Sequence, residues 1–273
     1  MSLRRLAIDL TPPLLRRRVL HWRGRGLRFS GRPGNWAEAQ RRSTGYDADV
    51  ILERVATATR AVIDSAACFE RDSVLFDEPV YPFELLAVLL RRALHRDGRL
   101  CVLDFGGSLG STYRQCRPLL DGLKSLHWTV VEQPAFVAAG LQEFATEELH
   151  FARTVKEACV DVLPDVALAS SVLQYVEDPE AVLSSLTDSG ARNLLIDRTP
   201  LTNGGVHRLC VQHVPSSIYP ASYPCWILSR ARLLERLIGR WRVVTEFPCA
   251  EGRMATDDGL AFEFKGLILE RLD

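Results

Sequence analysis

Between residues 98 and 197 short apolar runs alternate with stretches of helical period, and this alternation sets the first expectation about the fold. The runs at 100–104, 128–132, 165–169 and 192–197 predict strands, and helices are predicted near 110–117, 134–145, 154–161 and 178–187. Three helix starts carry their own chemistry: Pro134 as a first helical residue, Thr154 with Glu157 as a capping box, and Asp178 ahead of Pro179. Strands nearly bare of polar positions, alternating with helices, predict a parallel sheet covered on both faces.

The flanks differ. In "DADVILERVATATRAVI" Asp47 is an N-cap candidate, and Val50, Ile51, Val55, Ala58 and Val62 share one helical face. "PFELLAVLLRRAL" predicts a second helix, with Arg91 and Arg92 suiting the negative end of its dipole. The segment between them, "CFERDSVLFDEP", shows no clear period. Gly and Pro punctuate residues 1–35, so a flexible arm is expected there, with little regular structure beyond one short basic turn at 14–22. Residues 36–97 are expected to form a helical cap and residues 98–273 the main domain. Near the end Ser229 caps "SRARLLERLIGR", and "WRVVTEF" and "AFEFKGLILE" predict two strands. About a dozen residues join them without a helix, which suits an antiparallel pair.

Composition adds three points. The chain is 47% hydrophobic over 273 residues, enough for one large domain with a substantial core. Its formal charge is zero, but residues 1–42 hold eleven Arg against Asp9 and Glu38, about +9, so the remainder is about −9. Such an arm offers weak contact to an anionic membrane surface; no nucleic-acid partner is expected. The seven cysteines are scattered and never form C-x-x-C, the usage of a reduced cytosolic protein without a zinc cage, and no metal is expected. No stretch approaches the roughly 20 apolar residues of a membrane span, and the expected location is the cytoplasm.

The chemistry gathers in "VLDFGGSLGSTY", directly behind the first predicted strand of the alternating region. A glycine-rich turn between strand and helix bares backbone amides, and open parallel sheets bind ligands beyond the carboxyl ends of their strands. Glu132, 22 residues beyond Gly110, closes the next strand, where a carboxylate accepts hydrogen bonds from ribose hydroxyls. The two signals together propose an adenosine-containing ligand. "GGSLG" does not fit the dinucleotide fingerprint G-x-G-x-x-G. "DFGGSLG" instead matches the D-x-G-x-G-x-G turn of S-adenosylmethionine (SAM) enzymes, with Ser108 in place of the middle glycine.

Beyond the turn, "STGYDADVIL", "ERDSVLFD", "VLDFGGSLGS", "VVEQ", "SSVLQYVEDP", "IDRTP" and "IYPASYPCW" resemble successive motifs of a largely uncharacterised bacterial family of class I SAM-dependent methyltransferases. Its members are linked to surface-polysaccharide gene regions. The resemblance spans residues 10–270 and implies an α/β fold: a Rossmann-like class I methyltransferase sheet, mostly parallel, with an antiparallel C-terminal strand pair and the N-terminal helical cap. It further implies that Asp104, Phe105, Gly106, Gly107, Ser108 and Gly110 hold the methionine part of SAM, Asp104 through the ammonium directly or by water. Glu132 would hold the ribose, with Gln133 beside the adenine, and Ser170 and Ser171 would line the methyl-transfer side. The adenine-binding Asp that the resemblance would lead one to expect is not evident in "FARTVKE".

Other residues follow from position. His207 and His213, six apart in a polar segment after the fifth strand, are the candidate general bases if the acceptor is a hydroxyl. Arg198 suits an anionic acceptor such as a nucleotide sugar or sugar acid, and Tyr219, Tyr223 and Trp226 suit stacking on a sugar ring. From the cap, Tyr46 and Arg71 are placed to close over the cofactor. The expected function is methyl transfer to a small polar acceptor, a saccharide or its precursor. Two alternatives stand: a non-catalytic adenosyl-binding scaffold, and a nicotinamide-dinucleotide oxidoreductase.

Overall fold

The computed structural model describes residues 26–44, 48–71, 73–215 and 221–272. In chain order its elements are strand β1 (Arg28–Ser30), helices α1 (Trp36–Arg41) and α2 (Ala48–Ile63), strands β2 (Phe69–Arg71) and β3 (Val74–Phe76), helix α3 (Phe83–His95) and strand β4 (Arg99–Phe105). Helix α4 (Ser111–Cys116), β5 (Ser125–Val131), α5 (Pro134–Ala139) with a further π turn at Gly140–Phe144, β6 (Leu149–Ala152), α6 (Val155–Ala158) and β7 (Val166–Ser170) follow. The chain ends with α7 (Pro179–Thr187), β8 (Asn193–Thr202), β9 (Arg208–Val214), β10 (Ala221–Ser229), α8 (Arg230–Glu235), β11 (Trp241–Ala255) and β12 (Ala261–Arg271).

The sheet runs β6-β5-β4-β7-β8 in parallel, then β12 antiparallel to β8 and β11 antiparallel to β12. This order, with its single reversal at the next-to-last strand, is that of the Rossmann-like class I methyltransferase sheet, and the expected antiparallel pair closes it. Both faces are covered. On one, α2, α3, α4 and α5 pack Val55, Leu85, Leu89, Tyr113 and Val137 against Leu100, Val102, Trp128, Val130 and Leu168. On the other, α6, α7 and α8 pack Val155, Leu183, Leu186 and Leu233 against Leu103, Ala167, Ala169, Leu194 and Ile196. Odd and even positions of β4 thus serve opposite cores, and a strand buried twice reads as an unbroken apolar run.

The helix starts follow their local chemistry. Asp178 accepts from the Ala181 amide at 2.9 Å with Pro179 as the first helical residue, and Thr154 Oγ1 accepts from Glu157 N at 3.0 Å. The capping box is only half made, since Glu157 reaches the Arg153 amide rather than that of Thr154. Asp47 lies outside the described residues.

Three regions depart from expectation. Residues 28–30, in the presumed arm, form β1 on β9, because Phe29 seals a small third core with Phe262, Phe264, Cys210 and Cys225. The aperiodic "CFERDSVLFDEP" is a β-hairpin, Phe69 stacking on Phe76 with centroids 4.5 Å apart, so the region 36–97 is not purely helical. The pattern at 149–152 marks no strand, yet β6 pairs there with β5. Its four residues are too few for a periodic signal.

The strand β8 forks: Asn193–Asp197 pair with β7, and beyond them Leu201 and Thr202 pair with β10. β10, β9 and β1 form a small antiparallel wing over this end of the sheet. In β11 the register breaks between Pro248 and Arg253, so residues 249–252 bulge opposite Phe264. Among the described residues no helix is long and apolar enough to cross a membrane.

At Gly266 an added Cβ would lie 2.0 Å from the Phe247 ring. Gly266→Ala is expected to cost about 1–3 kcal/mol, read as a lowered melting temperature. In a Phe247→Ala background the same change should cost less than half as much; equal costs in both backgrounds would contradict this packing.

Candidate functional site

The carboxyl ends of β4, β5, β7 and β8 meet at one edge of the sheet, where strand order reverses between β4 and β7. Behind β4 the turn holds Gly106 at φ +73°, Ser108 at +57° and Gly110 at +89°. Gly106 N donates to Val131 O at 2.9 Å, which extends the β4–β5 ladder into the turn. Each glycine is demanded by a neighbour. A Cβ would stand 2.4 Å from Val172 at Gly106, 2.5 Å from the Asp104 carboxyl at Gly107 and 2.7 Å from Leu149 at Gly110. The bareness of this stretch therefore lets the turn nest against its own core, and ligand approach is not needed to account for it.

Two carboxylates carry the electrostatics. Asp104 is 1% exposed, sits under Gly107 and accepts from Trp128 Nε1 at 3.1 Å. Burial pushes its pKa up to about 7, Glu132 adds to the rise, and the indole bond opposes it. Among the described residues no cation pairs with it. Glu132 uses both oxygens on backbone amides, Oε1 from Ser108 N at 3.3 Å and Oε2 from Gln133 N at 2.8 Å. Burial raises its pKa too, against those bonds. A carboxylate has about four acceptor positions, so Glu132 keeps room for a ligand's hydroxyls. Exposed Gln133 caps α5 beside it.

Across the switch, Ser170 Oγ donates to Asp197 Oδ2 at 3.2 Å, and Arg198 Nε approaches Ser170 Oγ at 3.4 Å. Ser171 and Arg198 take left-handed φ values of 56° and 47°. The bulge of β11 brings Cys249 Sγ to 3.4 Å from Asp197 Oδ1, and burial beside that carboxylate pushes the thiol far up. Glu251 in the same bulge has a buried Oε2 with no hydrogen-bond partner among the described residues. From the wing, Gln212 bridges two phenols: it accepts from Tyr175 OH at 3.1 Å and donates to Tyr223 OH at 3.2 Å.

On the cofactor side, the hairpin is fastened to the first turn of α4, where Ser111 Oγ donates to buried Glu70. Arg71 stands on the same strand, its guanidinium 5.7 Å from the Phe69 ring centroid. Tyr46 and Tyr219 lie outside the described residues.

The two histidines are not brought together. His207 precedes β9; its Nδ1 accepts from Ser229 N at 2.8 Å, so Nε2 carries the hydrogen toward Glu180, 3.2 Å away. His213, near the other end of β9, is bonded through Nε2 to Ser30 Oγ at 2.7 Å. Burial lowers the pKa of both. Trp226 packs on Trp36 and donates to Glu177 O, a structural position.

Gln174, Tyr175, Gln212, Cys249 and Glu251 join the candidate residues only in the folded structure. An amide inside an apolar frame, as in "VLQYV" or "LCVQHV", is a legible sign of a buried bridging group. The bulge that places Cys249 and Glu251 has no such sign.

No family model matches the chain, and no curated protein matches it. Among solved structures, the N-terminal domain of EvdMO1 with SAH and D-fucose matches at 15% identity and TM-score 0.46, over 84% of this chain and 98% of that one. A 1,6-didemethyltoxoflavin-N1-methyltransferase of Burkholderia thailandensis matches at 18% and 0.42, over 84% and 92%. CalS10, an amino pentose methyltransferase of Micromonospora echinaspora, matches at 11% and 0.43, over 70% and 91%. At such scores none of them assigns this chain an activity.

Ser108 occupies a left-handed position that glycine takes without strain. Ser108→Gly is expected to stabilise by about 0.5–1 kcal/mol, the left-handed strain less the chain entropy of glycine. The melting temperature should rise by roughly 1–4 °C; a fall would show that the serine side chain contributes more than its strain costs.

Proposed function

We propose that the protein is a SAM-dependent methyltransferase acting on a small polar acceptor, a hydroxyl of a saccharide or of a nucleotide-sugar precursor. The observation that carries the cofactor is Asp104, a buried carboxylate without a cationic partner among the described residues, beside Glu132 at the end of β5, which accepts from the turn. A ligand with an ammonium at one end and ribose hydroxyls at the other fits this pair. Asp104 would stabilise the ammonium past the Gly107 backbone, Glu132 would accept from the ribose, and Gln133 would stand at the adenine. Arg71 on the hairpin would meet the ligand's carboxylate. The saccharide acceptor rests on the sequence resemblance alone.

SAM supplies an electrophilic methyl group on a sulfonium. In-line displacement needs alignment more than covalent help, and the chain's part is to hold donor and acceptor at the strand ends and exclude water. With His207 and His213 each engaged in the wing, neither is the proposed base. The nicotinamide alternative loses ground to the fold, because β12 and β11 stand where a second mononucleotide half would continue the parallel sheet.

The pKa of Asp104 fixes the sign of a pH dependence. Folded, it titrates near 7; unfolded, near 3.8. The ligand-free protein therefore loses stability as pH rises between these values. Binding of an ammonium requires the ionised form, so affinity for SAM is expected to weaken about tenfold per pH unit below 7 and to level off above 8. Calorimetric titration across pH 5.5–8.5, on wild type and Asp104→Asn, checks this. A wild type that binds no SAM at any pH would overturn the reading, and a flat profile would remove Asp104 from the site. Binding without turnover over a panel of acceptors would favour the non-catalytic alternative.

A further inference from the structure

The two left-handed residues at the acceptor edge are held by one side chain. Ser170 and Asp197 are the last register partners of β7 and β8, so Ser171, just past β7, and Arg198, within β8, follow them side by side. Ser171 N donates to Asp197 O at 2.9 Å. Across them lies Gln174, fully buried, whose Nε2 donates to both Ser171 Oγ and Arg198 O, each at 3.2 Å. Its Oε1 is buried and has no hydrogen-bond partner among the described residues. Strained backbone persists only where its surroundings over-determine it, and here a single carboxamide spans both strained residues.

What the clamp presents is the Arg198 side chain. Its Nε edge rests on Ser170 Oγ, and Ser170 in turn donates to Asp197 Oδ2. Asp197 Oδ1 accepts from the Arg198 amide at 2.8 Å and from Cys249. The Ser170 contact, at 3.4 Å, orients the Nε edge of the guanidinium, and this planar group is suited to two-point recognition of phosphate or carboxylate. Gln212 and Tyr223, from the wing paired to the same strand, form a hydrogen-bonded wall with Tyr175, which follows β7.

We propose that Arg198 is the seat of an anionic group on the acceptor, a phosphate or a carboxylate, and that Gln174 is the positioning residue that holds it there. This rests on the methyltransferase reading and narrows its acceptor to acids. Gln174 touches no reacting atom and acts through the backbone of Arg198.

The test is calorimetric titration of the full chain saturated with S-adenosylhomocysteine, with UDP-glucose, glucuronate and inorganic phosphate as probes. At least one should bind. Arg198→Met should weaken it tenfold or more and Gln174→Leu about fivefold, while both variants bind S-adenosylhomocysteine within twofold of wild type. Binding of UDP-glucose alone assigns the phosphate, and binding of glucuronate alone the carboxylate. The Nε–H resonance of Arg198 in nitrogen-15 spectra, identified by its loss in Arg198→Met, should be sharp in wild type and broadened in Gln174→Leu, which a merely structural role would not produce. A saturated wild type that binds none of the probes, or an Arg198→Met that binds them unchanged, overturns the inference. Arg198 is half-exposed, so that variant keeps the test open if Gln174→Leu does not fold. Failure to bind S-adenosylhomocysteine overturns the methyltransferase reading and this inference with it, and is distinct from a saturated chain that ignores the probes.

Discussion

The indole of Trp128 donating to the buried carboxyl of Asp104 is the contact on which the site edge depends. It joins β4 to β5 through side chains, beside the apolar core that covers this face of the sheet. A carboxyl in such a place costs free energy unless it is bonded, and the site tolerates it by raising its pKa. With the carboxyl so placed, Gly107 must lack a side chain, the turn must pass close above it, and Ser108 N must point at Glu132. Asp104 thus accounts for the bareness of Gly107, while Val172 and Leu149 account for Gly106 and Gly110.

The acceptor side is organised differently. There the determinants are backbone conformations at Ser171 and Arg198, fixed by one buried amide and by the pairing of Ser170 with Asp197. One side of the site thus relies on a buried charge and the other on strained dihedrals. Both arrangements are costly, and both occur at the one edge where the central strands end together.

The five central strands are buried on both faces, which left four of them legible as apolar runs; β6, only four residues long, was not. The turn was legible because its glycines follow directly on β4, which carries Asp104 next to its last residue. Their physical cause was not: spacing suggested ligand approach, whereas Val172, Asp104 and Leu149 already fill the space each side chain would need. The wing was the least legible part. Phe29 in "RFS" gives no period, and the roles of His207 and His213 depend on Ser229, Glu180 and Ser30, partners 22, 27 and 183 residues away. Contacts of that range leave no trace in local pattern.

The fork of β8 has a consequence for how such a protein can diversify. Because β10 joins β8 only at Leu201 and Thr202, past the last residue shared with β7, the wing is grafted onto the sheet by a two-residue splice. Changes in its length or lining need not propagate into the strands that carry Asp104 and Glu132. One half of the site is therefore free to drift toward new acceptors while the other stays under a single constraint, and lineages built on this plan should differ most from residue 203 to residue 228.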